Sequence, residues 1–303
     1  MVLLLIILCV ANVLTSEVIP KKQYFPQDAE HHFDEFIRNF NKQYANEQER
    51  EVRFRIFKNN LVVINRRNAV DTAEHAVNQF SDLTTEEFQQ YYGCIDMNST
   101  KASSCTENIA KTSMNYSAPT SFDWRDKNKV TSVKAQGLCG SCWTFSVMGS
   151  VEGKYSMVHD DLKDFSEQQL VDCDPNSHGC HAKENGQCYY DPSKKAATVT
   201  GCYHHQFSDE EDLKQVLIDH GPLSVSINGD LLKTYRVGVL ATCPYRNLNH
   251  AVLIVGYGMD GIVPYWIIKN SWSTNWGESG YVRIQMSQDH CAMSKDVFSA
   301  DVA

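Results

Sequence analysis

The dipeptide Gly221-Pro222 divides the apolar pattern of this 303-residue chain into two regimes. Before it, apolar residues recur at steps of three and four. Phe33, Phe36 and Phe40 share one helical face over 29–43, and Val147, Met148, Val151, Tyr155 and Val158 do the same beyond Cys142. After it come short, partly β-branched runs separated by Gly, Pro and Asn, at Leu223–Ile227, His250–Tyr257, Tyr265–Lys269 and Tyr281–Gln285. The pattern predicts an α+β protein, helical first and mainly β later, of one or two domains.

A long helix is predicted over Glu47 to Ala69. Glu49, Arg53, Phe57, Asn60, Ile64 and Asn68 step by four, four, three, four and four, which keeps all six on one face. Thr84-x-x-Glu87, Ser166-x-x-Gln169 and Ser208-x-x-Glu211 are capping boxes that open three further helices, the last stopping at Gly221-Pro222.

Residues 1–16 read as an export signal: Val2 to Val10 is nearly all apolar, too short to span a bilayer, and Ala11 to Ser16 turns small and polar. The n-region lacks Lys and Arg. Eleven cysteines in an exported chain point to disulfides formed in an oxidising compartment. A net charge of −9 gives a nucleic-acid role no electrostatic support. No later stretch is long enough for a membrane, so the protein is expected to be soluble once the signal is removed. Residues 93–117 are rich in Ser, Thr and Asn and read as an exposed, cleavable linker. They hold two glycosylation sequons, at Asn98 and Asn115, and Cys94 and Cys105, which pair most simply with each other.

The chemistry centres on Gln136-Gly137-Leu138-Cys139-Gly140-Ser141-Cys142-Trp143. The glycines permit a tight turn and Ser141 is a candidate N-cap, so Cys142 falls in the first turn of a helix. Backbone N–H groups and the helix dipole there favour a thiolate. A C-x-x-C pair also suits redox or zinc chemistry. No thioredoxin-like pattern precedes Cys139, and the cysteines and histidines of 173–205 have no standard zinc spacing.

Gln136-x-x-Cys139-Gly140-Ser141-Cys142-Trp143 resembles the active-site signature of the papain/cathepsin-type cysteine proteases. Leu248-Asn249-His250-Ala251-Val252 and Lys269-Asn270-Ser271-Trp272 resemble the family's histidine and asparagine segments. The six-residue face of the second helix, with Ala76-x-Asn78-x-Phe80-x-Asp82, resembles the pro-region motifs of the cathepsin L-like branch. The resemblance implies an inhibitory propeptide over 17–115 and a two-lobed peptidase domain over 116–303, a helical lobe facing a β-barrel lobe across the active-site cleft. It implies a Cys142–His250–Asn270 site with Gln136 as oxyanion donor, and Trp272, Ala251 and Asp296 facing substrate. Peptide substrates and the chain's own propeptide are the implied partners of a monomer, with no metal or cofactor. Such a zymogen folds at neutral pH, and acid weakens carboxylate-dependent pairing in its pro-segment.

One departure stands out. His250 and Asn270 follow Cys142 more closely than the roughly 130–150 residues of the family. The shortfall, roughly 25 residues, falls between Cys180 and Cys188, where His181-Ala182-Lys183 stands in place of the family's x-Gly-Gly. The peptidase domain is therefore expected to be truncated on one wall of the cleft. By the same resemblance Cys139 pairs with Cys180, Cys173 with Cys188 and Cys243 with Cys291, leaving Cys202 unpaired. Two functions follow as expectations: a secreted or lysosomal endopeptidase made as a zymogen, or a catalytically impaired homologue that binds peptides or proteins.

Overall fold

The computed structural model describes residues 20–93, 105–109, 118–175, 179–180, 186–207, 209–243, 248–286, 291, 293 and 295–303. The expected signal, both sequons, Cys94 and residues 181–183 lie outside them. The elements in chain order are α1 (Ala29–Asn39), α2 (Glu47–Val70), β1 (Glu74–His75), α3 (Thr85–Tyr92), β2 (Thr106–Ile109), β3 (Phe122–Asp123), α4 (Cys142–His159), α5 (Glu167–Cys173), β4 (Val199–Gln206), α6 (Glu210–His220), β5 (Leu223–Ile227), β6 (Tyr235–Val237), β7 (Val239–Leu240), β8 (His250–Asp260), β9 (Val263–Lys269), β10 (Tyr281–Gln285) and β11 (Val297–Val302). No helix among the described residues is long and apolar enough to cross a membrane.

Helices α1 and α2 share a small core in which Phe33 and Phe36 each meet Phe57 at 5.2 Å between ring centroids, backed by Leu61 and Ile64. The polar members of the four-four-three-four-four face have a second task. Arg53 pairs with Glu87 at 2.8 Å, Asn60 donates to the carbonyls of Ser81 and Leu83, and Asn68 engages both the N–H and the carbonyl of His75. They satisfy backbone groups of the returning chain that burial would otherwise leave unpaired. The Thr84–Glu87 capping box at α3 is formed in both directions.

Helix α4 packs against β5 and β8 through its small residues. Ser146 bonds both Ser224 and the Val252 carbonyl, and Gly153 lies under Pro222 so closely that a Cβ would fall 2.5 Å from the proline ring. Glu152 is buried behind this face, accepting from the Thr131 hydroxyl, the Phe165 N–H and Lys134. Two caps differ from the sequence expectation. Ser141 occupies the N-cap position of α4, but its hydroxyl donates to the Cys139 carbonyl, so the helix has no side-chain cap. Asp209, accepting from Glu211 and Asp212, caps α6 in place of Ser208.

The strands form a nine-stranded sheet in the order β2-β4-β11-β5-β8-β9-β10-β7, with β3 added on β8. The expected β-barrel lobe is corrected here: among the described residues the sheet is open. Its outer strands, β2 with four residues and β7 with two, lie at opposite margins and do not pair with each other. A second, two-stranded sheet pairs β1 with β6, Glu74 opposite Val237 and His75 opposite Tyr235.

Disulfides join Cys139 to Cys180, Cys173 to Cys188 and Cys243 to Cys291. A fourth overturns the expected Cys94–Cys105 pair and the unpaired Cys202: Cys105 is bonded to Cys202 across a separation of 97 residues. The cause is β2, which adds a strand parallel to β4 within what the sequence suggested was linker, and so carries Cys105 to that edge.

Candidate active site

Three elements converge on the site. Cys142 is the first residue of α4, His250 the first of β8, and Asn270 directly follows β9. The antiparallel register of β8 and β9, Leu253 opposite Lys269, brings the start of one beside the end of the other. His250 Nε2 consequently lies 2.8 Å from Asn270 Oδ1. An amide oxygen only accepts, so Nε2 carries the proton and Nδ1 is the nitrogen left to exchange one. Nδ1 is buried and has no hydrogen bond of good geometry among the described residues. The next residue, Ala251, directs its N–H at Cys142 Sγ, 3.5 Å away.

Cys142 is fully buried and its sulfur is disulfide-bonded. A disulfide-bonded sulfur is not a nucleophile, and a thiol reductant converts it to one that can ionise. Gln136 is held at the turn ahead of Cys142: its N–H donates to the Ser271 carbonyl, its Oε1 accepts from the Ser271 hydroxyl at 2.8 Å, and its Nε2 donates to the Cys139 carbonyl at 3.2 Å. Trp272 stacks on the His250 ring at 4.6 Å.

The opposite side of Trp272 and His250 is covered by α3. Phe80, Phe88 and Tyr92 stand around the indole at 5.2, 5.3 and 6.2 Å, and Gln79 donates to the Trp272 carbonyl. Gly93 ends α3 against Asn249, whose carbonyl would lie 3.0 Å from any Cβ there. With the crevice filled, burial pushes the His250 imidazole down to about 4, against the Asn270 hydrogen bond and the Tyr92 backbone, which favour the charged form.

A clamp of side-chain hydrogen bonds fixes this cover to the segment 230–242. Arg67 donates to the Leu231 carbonyl and the Thr234 hydroxyl, Asn78 to the Lys233 carbonyl, and Thr72 to the Val239 carbonyl. In return Lys233 reaches the Leu83 carbonyl and Asn60 Oδ1. Asp71 accepts from Ala241, Thr242 and His75; burial works against its charge, but these bonds hold its carboxyl well below the usual range.

Asp296, just ahead of β11, accepts from the Ser226 hydroxyl and lies 3.9 Å from His204 Nε2, while His204 Nδ1 faces Glu107 of β2 at 3.0 Å. The sequence reading found Asp296 but not Ser226, His204 or Glu107, which meet it only through the β5–β11–β4–β2 order. Ala251 packs beside Cys142 and Trp143.

This geometry has counterparts among known proteins. Residues 33–88 match the cathepsin propeptide inhibitor domain (I29), and residues 118–189 and 181–300 match the papain family cysteine protease model. The chain belongs to the papain family of cysteine proteases. A curated relative of this papain-family chain, the viral cathepsin of Adoxophyes honmai nucleopolyhedrovirus, is 36% identical over 97% of both chains. Among solved structures, digestive procathepsin L2 from the Tenebrio molitor larval midgut superposes with a TM-score of 0.81 at 30% identity, covering 90% of this chain and 99% of that one. The proform of the ragweed pollen cysteine protease Amb a 11 gives 0.77 at 28%, covering 93% and 97%. The protein is therefore a papain-family cysteine protease zymogen with the procathepsin fold, and α1, α2 and α3 belong to its inhibitor domain.

Proposed function

We propose that this zymogen yields an endopeptidase in which Cys142 attacks the scissile carbonyl, His250 moves the proton and Asn270 holds the imidazole plane. The observation that carries the reading is the 2.8 Å contact from His250 Nε2 to Asn270 Oδ1, with Cys142 beside the next residue of the same strand. Once reduced, the Cys142 thiol passes its proton to Nδ1, and the thiolate adds to the carbonyl carbon. The tetrahedral oxyanion is met by the Cys142 N–H and the Gln136 amide, which exchanges its Cys139 carbonyl for the oxyanion. His250 then protonates the leaving amine, and water, activated by the same nitrogen, hydrolyses the thioester. Trp272 keeps water from the His250–Asn270 bond.

The inhibitor domain holds this machinery off by filling the crevice and keeping His250 neutral. On this reading 1–16 directs export to the lysosome or the extracellular space, both sequons carry glycans, 17–115 is the propeptide, and the mature monomer begins near Tyr116. On the same reading Asp296 favours a basic P2 side chain beside apolar ones. A second reading is favoured by one observation. The protease match comes in two pieces that overlap at 181–189, where this chain is shorter than the family's cleft wall. A protein lacking that wall binds peptide without turning it over.

The test is labelling with an active-site-directed epoxide after acid and thiol reductant, followed by peptide mapping, with Cys142→Ala as the control. Label confined to Cys142, together with loss of the inhibitor domain, supports the enzyme. A folded, processed and reduced protein that takes up no label supports the binding protein instead.

A further inference from the structure

The Lys233 side chain belongs to the protease, yet its hydrogen-bond partners among the described residues all belong to the inhibitor domain. The residue lies in the short helical turn Gly229–Thr234 and is buried. Its ammonium donates to the Leu83 carbonyl at 2.6 Å and to Asn60 Oδ1 at 3.2 Å, and stands 6.0 Å from the centre of the Phe88 ring. Three carboxylates that favour its charge, Glu86, Glu87 and Asp82, are inhibitor residues too. Burial, and after it the Arg67 charge, lowers the amine to about 8 in the zymogen.

The same turn borders the reaction centre. A Cβ at Gly229 would fall 2.8 Å from the His250 Cβ, and the Leu232 carbonyl accepts from Trp276, whose ring meets Trp272 at 5.0 Å. Phe88 adjoins both Lys233 and Trp272. His250 gives its proton to the leaving amine, so the leaving half of a substrate runs past the imidazole while the acyl half stays on Cys142. The surface past the imidazole is the one that α3 covers, with Gly229, Asp230, Asn249 and Trp272 around His250.

We infer that Lys233 is a specificity-determining residue of the mature protease, and that its ammonium selects an acidic side chain, Asp or Glu, in the leaving half of the peptide. In the zymogen the inhibitor occupies this position itself, surrounding the ammonium with oxygen acceptors and carboxylates. Its release removes them together, along with Phe88 and Arg67, and leaves a cation in water beside the Trp272 indole. A substrate carboxylate arriving there restores what the inhibitor supplied, as a charge-assisted hydrogen bond. Asp230 of the same turn accepts from Asn249 at 2.8 Å and keeps that partner when Gln89 of the inhibitor departs.

The inference rests on the endopeptidase reading, and its test keeps the two apart. The full chain is matured with acid and thiol reductant and assayed at about pH 6, where Glu is ionised and Lys charged. Paired quenched fluorescent peptides differ only by Glu against Gln at one leaving-half position, each position taken in turn. The expected result is a kcat/KM about fivefold higher for Glu at one of them, falling toward equality when salt is raised from about 0.1 M to about 1 M and in Lys233→Gln. No preference for Glu at any position, or one that high salt leaves intact, overturns the inference; this arm uses only the natural chain, so misfolding of the variant does not affect it. A preference that survives unchanged in folded Lys233→Gln overturns it as well. If the matured protein cuts no peptide, the endopeptidase reading fails, and the same pairs are compared by fluorescence anisotropy. Tighter binding of a Glu peptide, lost in Lys233→Gln, then supports the role of Lys233, and equal binding of every pair overturns it.

Discussion

Phe88 of the inhibitor domain stands edge-on to Trp272 of the protease, ring centroids 5.3 Å apart at 76°. With Phe80 it places the indole in an aromatic enclosure that exists only while the propeptide is docked. Truncating a buried Phe costs about 3–5 kcal/mol. Phe88→Ala in the full chain should therefore loosen the cover. We expect reduced zymogen to accept the epoxide label at neutral pH at least about tenfold faster than wild type, measured by mass spectrometry over time.

Acid should release the propeptide partly through histidines. Burial holds His75 below its usual 6.5, and the groups facing it are Asp71, Arg67, Lys21 and Thr234. A histidine lowered in the docked state contributes fully above about pH 6.5, and the contribution is lost as pH falls through its lowered value. His250, held down to about 4 while covered, shifts the balance in the same direction between 6.5 and 4. Asp71 does not contribute in that window: its carboxyl is lowered further still and loses its bonds only below the ordinary carboxylate range. His75→Gln removes one proton uptake, worth up to tenfold per pH unit. Processing at pH 5 should slow by about that factor, followed on a gel against wild type.

Removing the Asn270 amide leaves the His250 Nε2 proton without its acceptor. A buried unpaired donor costs about 1–3 kcal/mol, so Asn270→Ala should lower kcat of the processed enzyme about 10–100-fold, with KM little changed. Because the Asn270 bond favours charged His250, the acid limb of the kcat/KM profile should also move to lower pH. An unchanged profile argues against the orienting role.

Helix α4 owes its position to the absence of a side chain at Gly153. Alanine gains about 1 kcal/mol of helix propensity but meets the Pro222 ring at 2.5 Å and the Lys129 carbonyl at 3.2 Å. Neither neighbour is a flexible side-chain end. Gly153→Ala should lower Tm by several degrees in calorimetry of the reduced, inhibited zymogen.

Asp296→Ala should reduce kcat/KM for a substrate with arginine at P2 about tenfold relative to leucine. Equal responses of the two substrates would remove Asp296 from the account of specificity.

Much of this architecture is legible in the chain because its signals are local. The face from Glu49 to Asn68, the Thr84 box and the apolar runs of β5, β8, β9 and β10 each combine period with a turn residue. Val199-Thr-Gly-Cys-Tyr-His-His-Gln206 carries no such alternation, since β4 lies near a margin and its pairing comes from β11 and β2. The same holds for the site. Cys142, His250 and Asn270 lie in compact motifs, whereas Ser226, His204 and Glu107 meet Asp296 through long-range strand order. The Cys105–Cys202 bond is hidden for that reason too: nearness along the chain favours Cys94, and a parallel strand outweighs it.

That marginal strand also bears on solubility. An uncovered β4 would present a row of unpaired amide and carbonyl groups, a template for edge-to-edge association between molecules. By lying along it with Glu107 outward and a covalent anchor at one end, β2 blunts the edge with only four residues. A protease stripped of this strand should self-associate at concentrations where the intact one stays dispersed.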